Sequence, residues 1–244
     1  MIKKKLMKKD LQLHPSQTNI LKTLLFEPEA RFRDLNKLGL STDHFSFHIK
    51  SLIETGLVVK SGYFYNLTMV GKEFANRLDV EKQVPQIEKQ AKVGVLIFAV
   101  QSSLIGKNKI KKYLLQQRLK QPYFGYYGAV GGKLKIGETL FEGAKREFGE
   151  EAGLSAKLSF TGINHKMDYS KQGVLLEDKI FFVFRADNPQ GNLIKEFPGG
   201  KNFWFSLPEI KKLPKLFPDV LDKLKMIEGS KISFSEKKFF VDEF

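Results

Sequence analysis

The chain has 244 residues, 42% of them hydrophobic, with nine prolines, which is comfortable for two small folded domains. It has no cysteine, so disulfides, thiolate metal sites and cysteine nucleophiles are excluded, and a reducing, cytoplasmic setting fits. The formal charge of +14 comes mostly from lysine. Such a charge suits a polyanionic partner or substrate, although a scattered lysine excess is also ordinary surface composition.

The opening run Met1-Ile2-Lys3-Lys4-Lys5-Leu6-Met7-Lys8-Lys9 is basic but no apolar core follows it. Residues 1–10 are therefore expected as a solvated tail and not a signal peptide. No run approaches the roughly 18–20 apolar residues of a membrane span, so no membrane partner is expected. Over residues 16–25, Ile20, Leu21, Leu24 and Leu25 recur at helical spacing. Residues 30–38 supply a second short helix. Ser41-Thr42-Asp43 offers capping chemistry for a third, along which Phe45, Ile49, Leu52 and Ile53 make one apolar stripe that Gly56 terminates. Leu57-Val58-Val59-Lys60 and the stretch from Tyr63 to Thr68 flank Ser61-Gly62, a hairpin signal. Residues 69–78 read as a final helix.

This order resembles the winged helix-turn-helix domains of small bacterial regulators, and residues 1–79 are assigned to such a domain. The resemblance implies that the third helix enters a DNA major groove, with His44, Ser46, Phe47 and Lys50 as candidate contacts. Within that group only Lys50 is a firm cation. Residues 1–80 carry 13 Lys and Arg against 8 Asp and Glu, a net of +5 that lies mostly in the N-terminal lysine cluster. Dimerisation, or contact with another protein, is the alternative use of such a domain. Residues 80–91 are polar, contain Pro85, and read as a linker.

Beyond the linker the texture changes to strands, expected at residues 93–100, 112–118, 158–162, 179–184 and 202–205, around one strong helix. That helix follows Gly132-Lys133-Leu134-Lys135-Ile136-Gly137-Glu138 and contains Arg146-Glu147-Phe148-Gly149-Glu150-Glu151-Ala152-Gly153-Leu154. Thr139 and Glu142 form a capping box at its start, and Gly153 ends it. Glu147, Glu150 and Glu151 stand at i, i+3 and i+4, so three like charges converge and require a cation. Oxygen ligands without His or Cys point to magnesium or manganese.

The same residues resemble the Nudix box: G, five residues, E, seven residues, then R-E-U-x-E-E-x-G-U, with U bulky and apolar. All seven fixed positions are filled, which chance would produce at on the order of one start in a billion. The resemblance covers residues 92–228 and implies an α/β/α sandwich with a mixed sheet, so the whole chain is expected to be a two-domain α+β and α/β protein. It also implies that the carbonyl of Gly132 and the carboxylates of Glu147, Glu150 and Glu151 bind the metal, that Arg146 orients the glutamates, and that Glu138 supports them. Gly131, Lys133, Arg118 and Tyr127 are the candidate substrate contacts. Glu177, Asp178 and Glu196 are candidates for one more carboxylate. Tyr123, Phe124, Tyr126, Tyr127 and Trp204 are candidates to stack on a base. Residues 229–244 are set aside as a C-terminal tail.

The expected function is magnesium-dependent hydrolysis of a diphosphate linkage in a nucleotide-like substrate. The alternative is a DNA-binding regulator whose second domain senses a nucleotide metabolite. An undegraded box favours the enzyme, and a homodimer fits either reading.

Overall fold

A computed structural model describes residues 13–76, 78, 90–105 and 108–242. The chain divides into two compact units, Met1–Lys89 and Gln90–Phe244. The expected tail, residues 1–10, lies outside the described residues, as does the expected linker, 80–91, apart from Gln90 and Ala91. Among the described residues no helix is long and apolar enough to cross a membrane.

The first unit runs α1 (Pro15–Phe26), β1 (Ala30–Arg31), α2 (Phe32–Leu35), α3 (Thr42–Glu54), β2 (Val58–Ser61), β3 (Phe64–Leu67) and α4 (Met69–Ala75). Ser41 caps α3 by accepting from the His44 amide. The stripe on α3 buries Phe45, Ile49 and Leu52 against Ile20, Leu21 and Leu24 of α1, while Ile53 stays 37% exposed. The second helix is shorter than its sequence suggests. Ala30 and Arg31 pair with Tyr65 and Phe64 of β3 instead, which leaves one helical turn. The hairpin also turns one residue later than expected, at Gly62-Tyr63. Ser61 pairs with Phe64, and Gly62 takes the positive φ of 59° that the reversal needs.

The second unit contains β4 (Lys92–Ile105), β5 (Asn108–Arg118), β6 (Tyr127–Gly128), β7 (Val130–Lys133), α5 (Leu140–Ala152), β8 (Leu154–Ser155), β9 (Leu158–Ser170) and β10 (Leu175–Asp187). It continues with β11 (Gln190–Gly191), β12 (Glu196–Phe197), β13 (Gly200–Ser206), α6 (Leu207–Ile210), α7 (Val220–Glu228) and β14 (Ser233–Val241). The main sheet has the order β12-β13-β5-β4-β10-β9-β14, with β4–β10 and β9–β14 parallel and the remaining pairs antiparallel.

Strand alternation divides the apolar residues between two cores. Val95, Ile97 and Ala99 pack on one face with Ala144, Phe148 and Ala152 of α5. Phe98 and Val100 pack on the other with Ile210 of α6 and Val220, Leu224 and Ile227 of α7. This is the α/β/α sandwich with a mixed sheet. Residues 229–244 are not simply a tail: β14 adds a parallel strand to β9 over Ser233–Val241. The pattern escapes detection because an edge strand keeps its charged residues in water and buries little.

One departure from regular pairing positions the site. Strands β4 and β5 pair with each other only from Val100 and Tyr113 outward. Nearer the box, β4 pairs with β7 at Gly94 to Ile97, and β5 pairs with β6 and β13. The two long strands splay, and a slot opens between them.

Candidate active site

The box helix is fixed at both ends by its own sequence. The Thr139 amide donates to Glu142 Oε2 at 2.8 Å, and the Glu142 amide donates to Thr139 Oγ1 at 3.3 Å. At the far end Gly153 takes φ 68°, the left-handed cap for which glycine is suited. Ala144, Phe148 and Ala152 anchor the inner face in the core.

Glu147 is 8% exposed and lies against the backbone of β7. A Cβ placed on Gly132 would sit 2.4 Å from each of its carboxylate oxygens, so the carboxylate occupies the space a side chain at 132 would need. Glu151, one turn on, accepts from Gln116 Nε2 at 3.1 Å and from the Gly131 backbone. Burial raises its pKa, and the neighbouring Glu147 charge adds to the rise. Glu150 differs: its side chain is 57% exposed, and its carboxylate accepts from Arg146 Nη1 at 3.1 Å.

Arg146 links the group. Its Nε and Nη2 donate to the two oxygens of Glu138 at 2.5 and 2.9 Å, Nη1 donates to Glu147 at 2.7 Å, and Nη2 reaches the Lys133 carbonyl at 3.1 Å. The fork matches a carboxylate bidentately. These bonds hold Glu138 down at about 2 and raise Arg146 further above its already high range.

Glu147 and Glu151 form one wall of a cavity of about 510 Å³ in the slot between β4 and β5. That is within the usual range for small-molecule sites. Gly132 lines it, as do Gly131, Lys133 and Arg118 of the four candidate substrate contacts. Tyr127 does not. Its ring packs against Phe203 and Phe205, because β6 pairs with β5 and turns the side chain toward β13. None of Tyr123, Phe124, Tyr126 and Trp204 lines the cavity either. Tyr123 and Tyr126 pack on Phe217, Phe124 is 53% exposed, and Trp204 packs against the α5 core. The cavity aromatics are Phe98, Phe181 and Phe217.

Of the three further carboxylate candidates, Glu177 reaches the cavity. It pairs with Lys179 and, at 3.1 Å, with Lys92, which bring its pKa below the ordinary value although burial alone would raise it. Asp178 instead bonds His165 at 2.8 Å, and Glu196 is an exposed partner of Lys201. Several polar residues at the site were not anticipated. Asn202, 3% exposed, donates to the carbonyls of Glu151 and Ile194 at 2.7 and 2.8 Å and stands opposite Gln116 in the β13–β5 register. Lys166 pairs with Asp168 at 3.0 Å and Lys223 with Asp219 at 2.6 Å, all four almost fully buried. A buried polar residue within a strand was the available signal for Asn202.

The donor set fits a hard divalent cation, since Glu147 and Glu151 offer carboxylate oxygens side by side without a His or Cys. Residue 94 as glycine also keeps the Gly132 carbonyl clear, because a Cβ there would approach that oxygen to 2.6 Å. Among the described residues no three His, Cys, Asp or Glu groups are already gathered closely enough to hold a metal. Glu150, turned to Arg146, is the expected ligand that stands apart. In the first unit His44, Phe47 and Lys50 are exposed on α3 and Ser46 is half-buried.

The chain is similar to several known proteins. Over 154 residues the chain is 27% identical to an ADP-ribose pyrophosphatase of Methanocaldococcus jannaschii, covering 63% of this chain and 85% of that one. Over 101 residues it is 31% identical to an uncharacterized Nudix hydrolase of Bacillus subtilis, covering 39% of this chain and 61% of the relative, less than two thirds of its length. A crystal structure of a MutT protein from Bacillus halodurans aligns with a TM-score of 0.49 at 24% identity, over 63% of this chain and 93% of the other. The NUDIX domain family matches residues 89–227, more than half of the chain, and the chain belongs to that family.

Proposed function

We propose that the protein is a magnesium-dependent pyrophosphohydrolase that cleaves the diphosphate linkage of a nucleotide-like substrate. The observation that carries this reading is the pairing of Glu147 and Glu151 with the backbone of Gly131 and Gly132 on one wall of a cavity whose other walls carry Lys133, Arg118 and further lysines. Glu147, Glu151 and the Gly132 carbonyl are assigned to hold magnesium or manganese, with Glu150 as the third carboxylate. The bound cation would supply charge neutralisation at the phosphorus centre and a lowered pKa for a water molecule. Arg146 keeps the glutamates in place and Glu138 keeps Arg146 in place. Gln116 and Asn202 position Glu151 from the opposite side. Lys133 and Arg118 are assigned to the phosphate oxygens, and Phe98 and Phe181 exclude water from the apolar part of the cavity. Catalysis of this type is positioning plus electrostatics. The relative acting on ADP-ribose supports a nucleoside diphosphate derivative as the substrate class.

The test is formation of the nucleoside monophosphate, resolved by chromatography, from a panel of nucleoside diphosphate and triphosphate derivatives, with magnesium and with EDTA, for the wild type, Glu147→Gln and Glu150→Gln. Turnover that needs magnesium and Glu147 is expected. Wild-type rates in both variants overturn the assignment.

For the first unit we propose a winged helix-turn-helix, supported by its three helices, the β2–β3 hairpin and α4, with α3 as the recognition helix. Lys50 is the cation on its outer face, beside Phe47, which is 69% exposed and apolar. DNA is the proposed partner. Lys50→Ala is expected to weaken duplex binding and lower its salt dependence, and unchanged salt-dependent affinity assigns α3 to protein contact instead.

A further inference from the structure

The opposite side of the cavity from the box helix is basic in a regular way. Lys237 of β14 stands opposite Lys166 of β9, Lys166 opposite Lys179 of β10, and Lys179 opposite Lys92 of β4. Residues in direct register point to the same sheet face and are separated by roughly one strand spacing, about 4.8 Å. Like charges placed so are mutually destabilising. Three of the four, Lys92, Lys166 and Lys179, line the cavity, and Lys223 joins them from α7.

The carboxylates nearby do not balance this charge. Lys92 and Lys179 share the single carboxylate of Glu177, Lys166 has Asp168, and Lys223 has Asp219. Arg118 and Lys120 line the same cavity, and the Arg118 Nε donates to the Pro122 carbonyl, a neutral acceptor. Four lysines therefore stand against three carboxylates in the row, and Arg118 and Lys120 share the charge of Glu151. Lys166 and Lys223 are only 5% exposed, so water does not screen them as it would at a surface. Burial lowers the pKa of Lys179 and of Arg118, although Glu177 beside the first, and Glu177 and Glu151 beside the second, oppose the fall. The lysine tails are ordered by aromatic rings: Lys166 Nζ lies 5.0 Å from the Phe217 ring centre and Lys223 Nζ lies 5.6 Å from that of Phe181.

Resting on the diphosphatase reading, we infer that this lysine row binds a second anionic group, a phosphomonoester, carried by the same molecule as the diphosphate linkage. A phosphomonoester brings a charge of about −1.5 to −2 and three acceptor oxygens, enough to cover the uncompensated lysine and to bond its neighbours. A substrate ending in a neutral ribose or base would leave that excess uncompensated in a buried slot. The preferred substrate is then a phosphorylated nucleotide derivative, with the box glutamates at its diphosphate and the lysine row at its phosphate.

The experiment compares matched compounds that differ by one phosphate: ADP-ribose and its 2′-phosphate, NAD and NADP, dephospho-coenzyme A and coenzyme A. Dissociation constants are measured by calorimetry in EDTA, with initial rates in magnesium alongside, for the wild type, Lys92→Gln and Lys179→Gln. Lys92 is half-exposed, so its variant keeps the test open where Lys179→Gln fails to fold. In at least one pair the phosphorylated member is expected to bind the wild type about tenfold tighter or better, the size of one or two charged hydrogen bonds, and the variants to lose that preference. Equal affinities within every pair, or a preference that survives in both variants, overturn the inference. Millimolar inorganic phosphate that tightens binding of the unphosphorylated members would place the anion on a separate molecule and also overturn it. Absence of turnover with the binding preference intact counts against the hydrolase reading and leaves this one standing.

Discussion

Gly132→Ala isolates the closest contact in the site. The added methyl would lie 2.3 Å from Cδ and 2.4 Å from each carboxylate oxygen of Glu147. Ordinary contact begins near 3.5 Å, so the carboxylate has to withdraw by about 1 Å. It cannot do so freely, because Arg146 Nη1 holds it at 2.7 Å and the residue is buried. Gly132 does not have a left-handed φ, so alanine brings no backbone strain, and its effect through the unfolded chain is within about 1 kcal/mol. The expected result is a protein that melts near the wild-type temperature with kcat/KM reduced by about 100-fold, the usual cost of a 1 Å misplacement. Initial rates of nucleoside monophosphate formation, a thermal melt and a magnesium titration on the same preparation separate the two effects, and magnesium affinity is expected to fall with the rate. Wild-type rates from a folded Gly132→Ala protein would refute the placement of Glu147 at the reaction centre.

Arg146→Lys keeps the charge but cannot fork Glu138 while also bonding Glu147 and Glu150. A fall of about 10- to 100-fold in kcat/KM with little change in melting temperature is expected, and parity with the wild type would dismiss the positioning role. His165 bridges Glu236 of β14 at 2.6 Å and Asp178 at 2.8 Å, and these bonds, Glu236 first, raise its pKa above 6.5. A raised histidine contributes its full stability below the unfolded pKa and loses it as pH rises through the folded one. The urea midpoint is therefore expected to drop between pH 6 and pH 9 by more in the wild type than in His165→Gln; equal drops would show that the bridge contributes nothing. Lys223→Met strands the Asp219 carboxylate in a site where the two side chains are 6% and 2% exposed, at a cost of about 3–5 kcal/mol by urea titration. Adding Asp219→Asn is expected to recover part of it, and a second variant no more stable than the first would mean that the pair is not coupled.

What the sequence made legible was local. The capping box at Thr139, the left-handed Gly153 and the spacing of Glu147, Glu150 and Glu151 lie within one helix, so periodicity alone predicts their arrangement. Periodicity does not predict which carboxylate turns which way, and Glu150 faces Arg146 because the guanidinium, fixed by Glu138 eight residues earlier, reaches it first. The contacts that fix Glu151 come from β5 and β13, and Gln116 and Asn202 become neighbours only through strand pairing. Tyr127 illustrates the converse error: an aromatic beside the glycine-rich run looked available for stacking, but the pairing of β6 sent it elsewhere. The edge strand β14 was hidden for a related reason, since a strand that buries little writes no alternation into its sequence.

The two sides of the cavity therefore differ in origin, and on the proposed readings they differ in what mutation would do. The acidic wall comes from neighbours in sequence and is held by Arg146 from outside and by Gln116 and Asn202 from within. Substitutions there act on a step common to all substrates and lower every rate together. The basic wall comes from residues spread between Lys92 and Lys223 that meet only in the sheet register and on α7. Substitutions there change the charge presented to the rest of the substrate and so reorder substrates relative to one another, because specificity is a difference of affinities. A second chain with an identical box but different residues at 92, 166 and 179 would then share the chemistry and accept a different molecule.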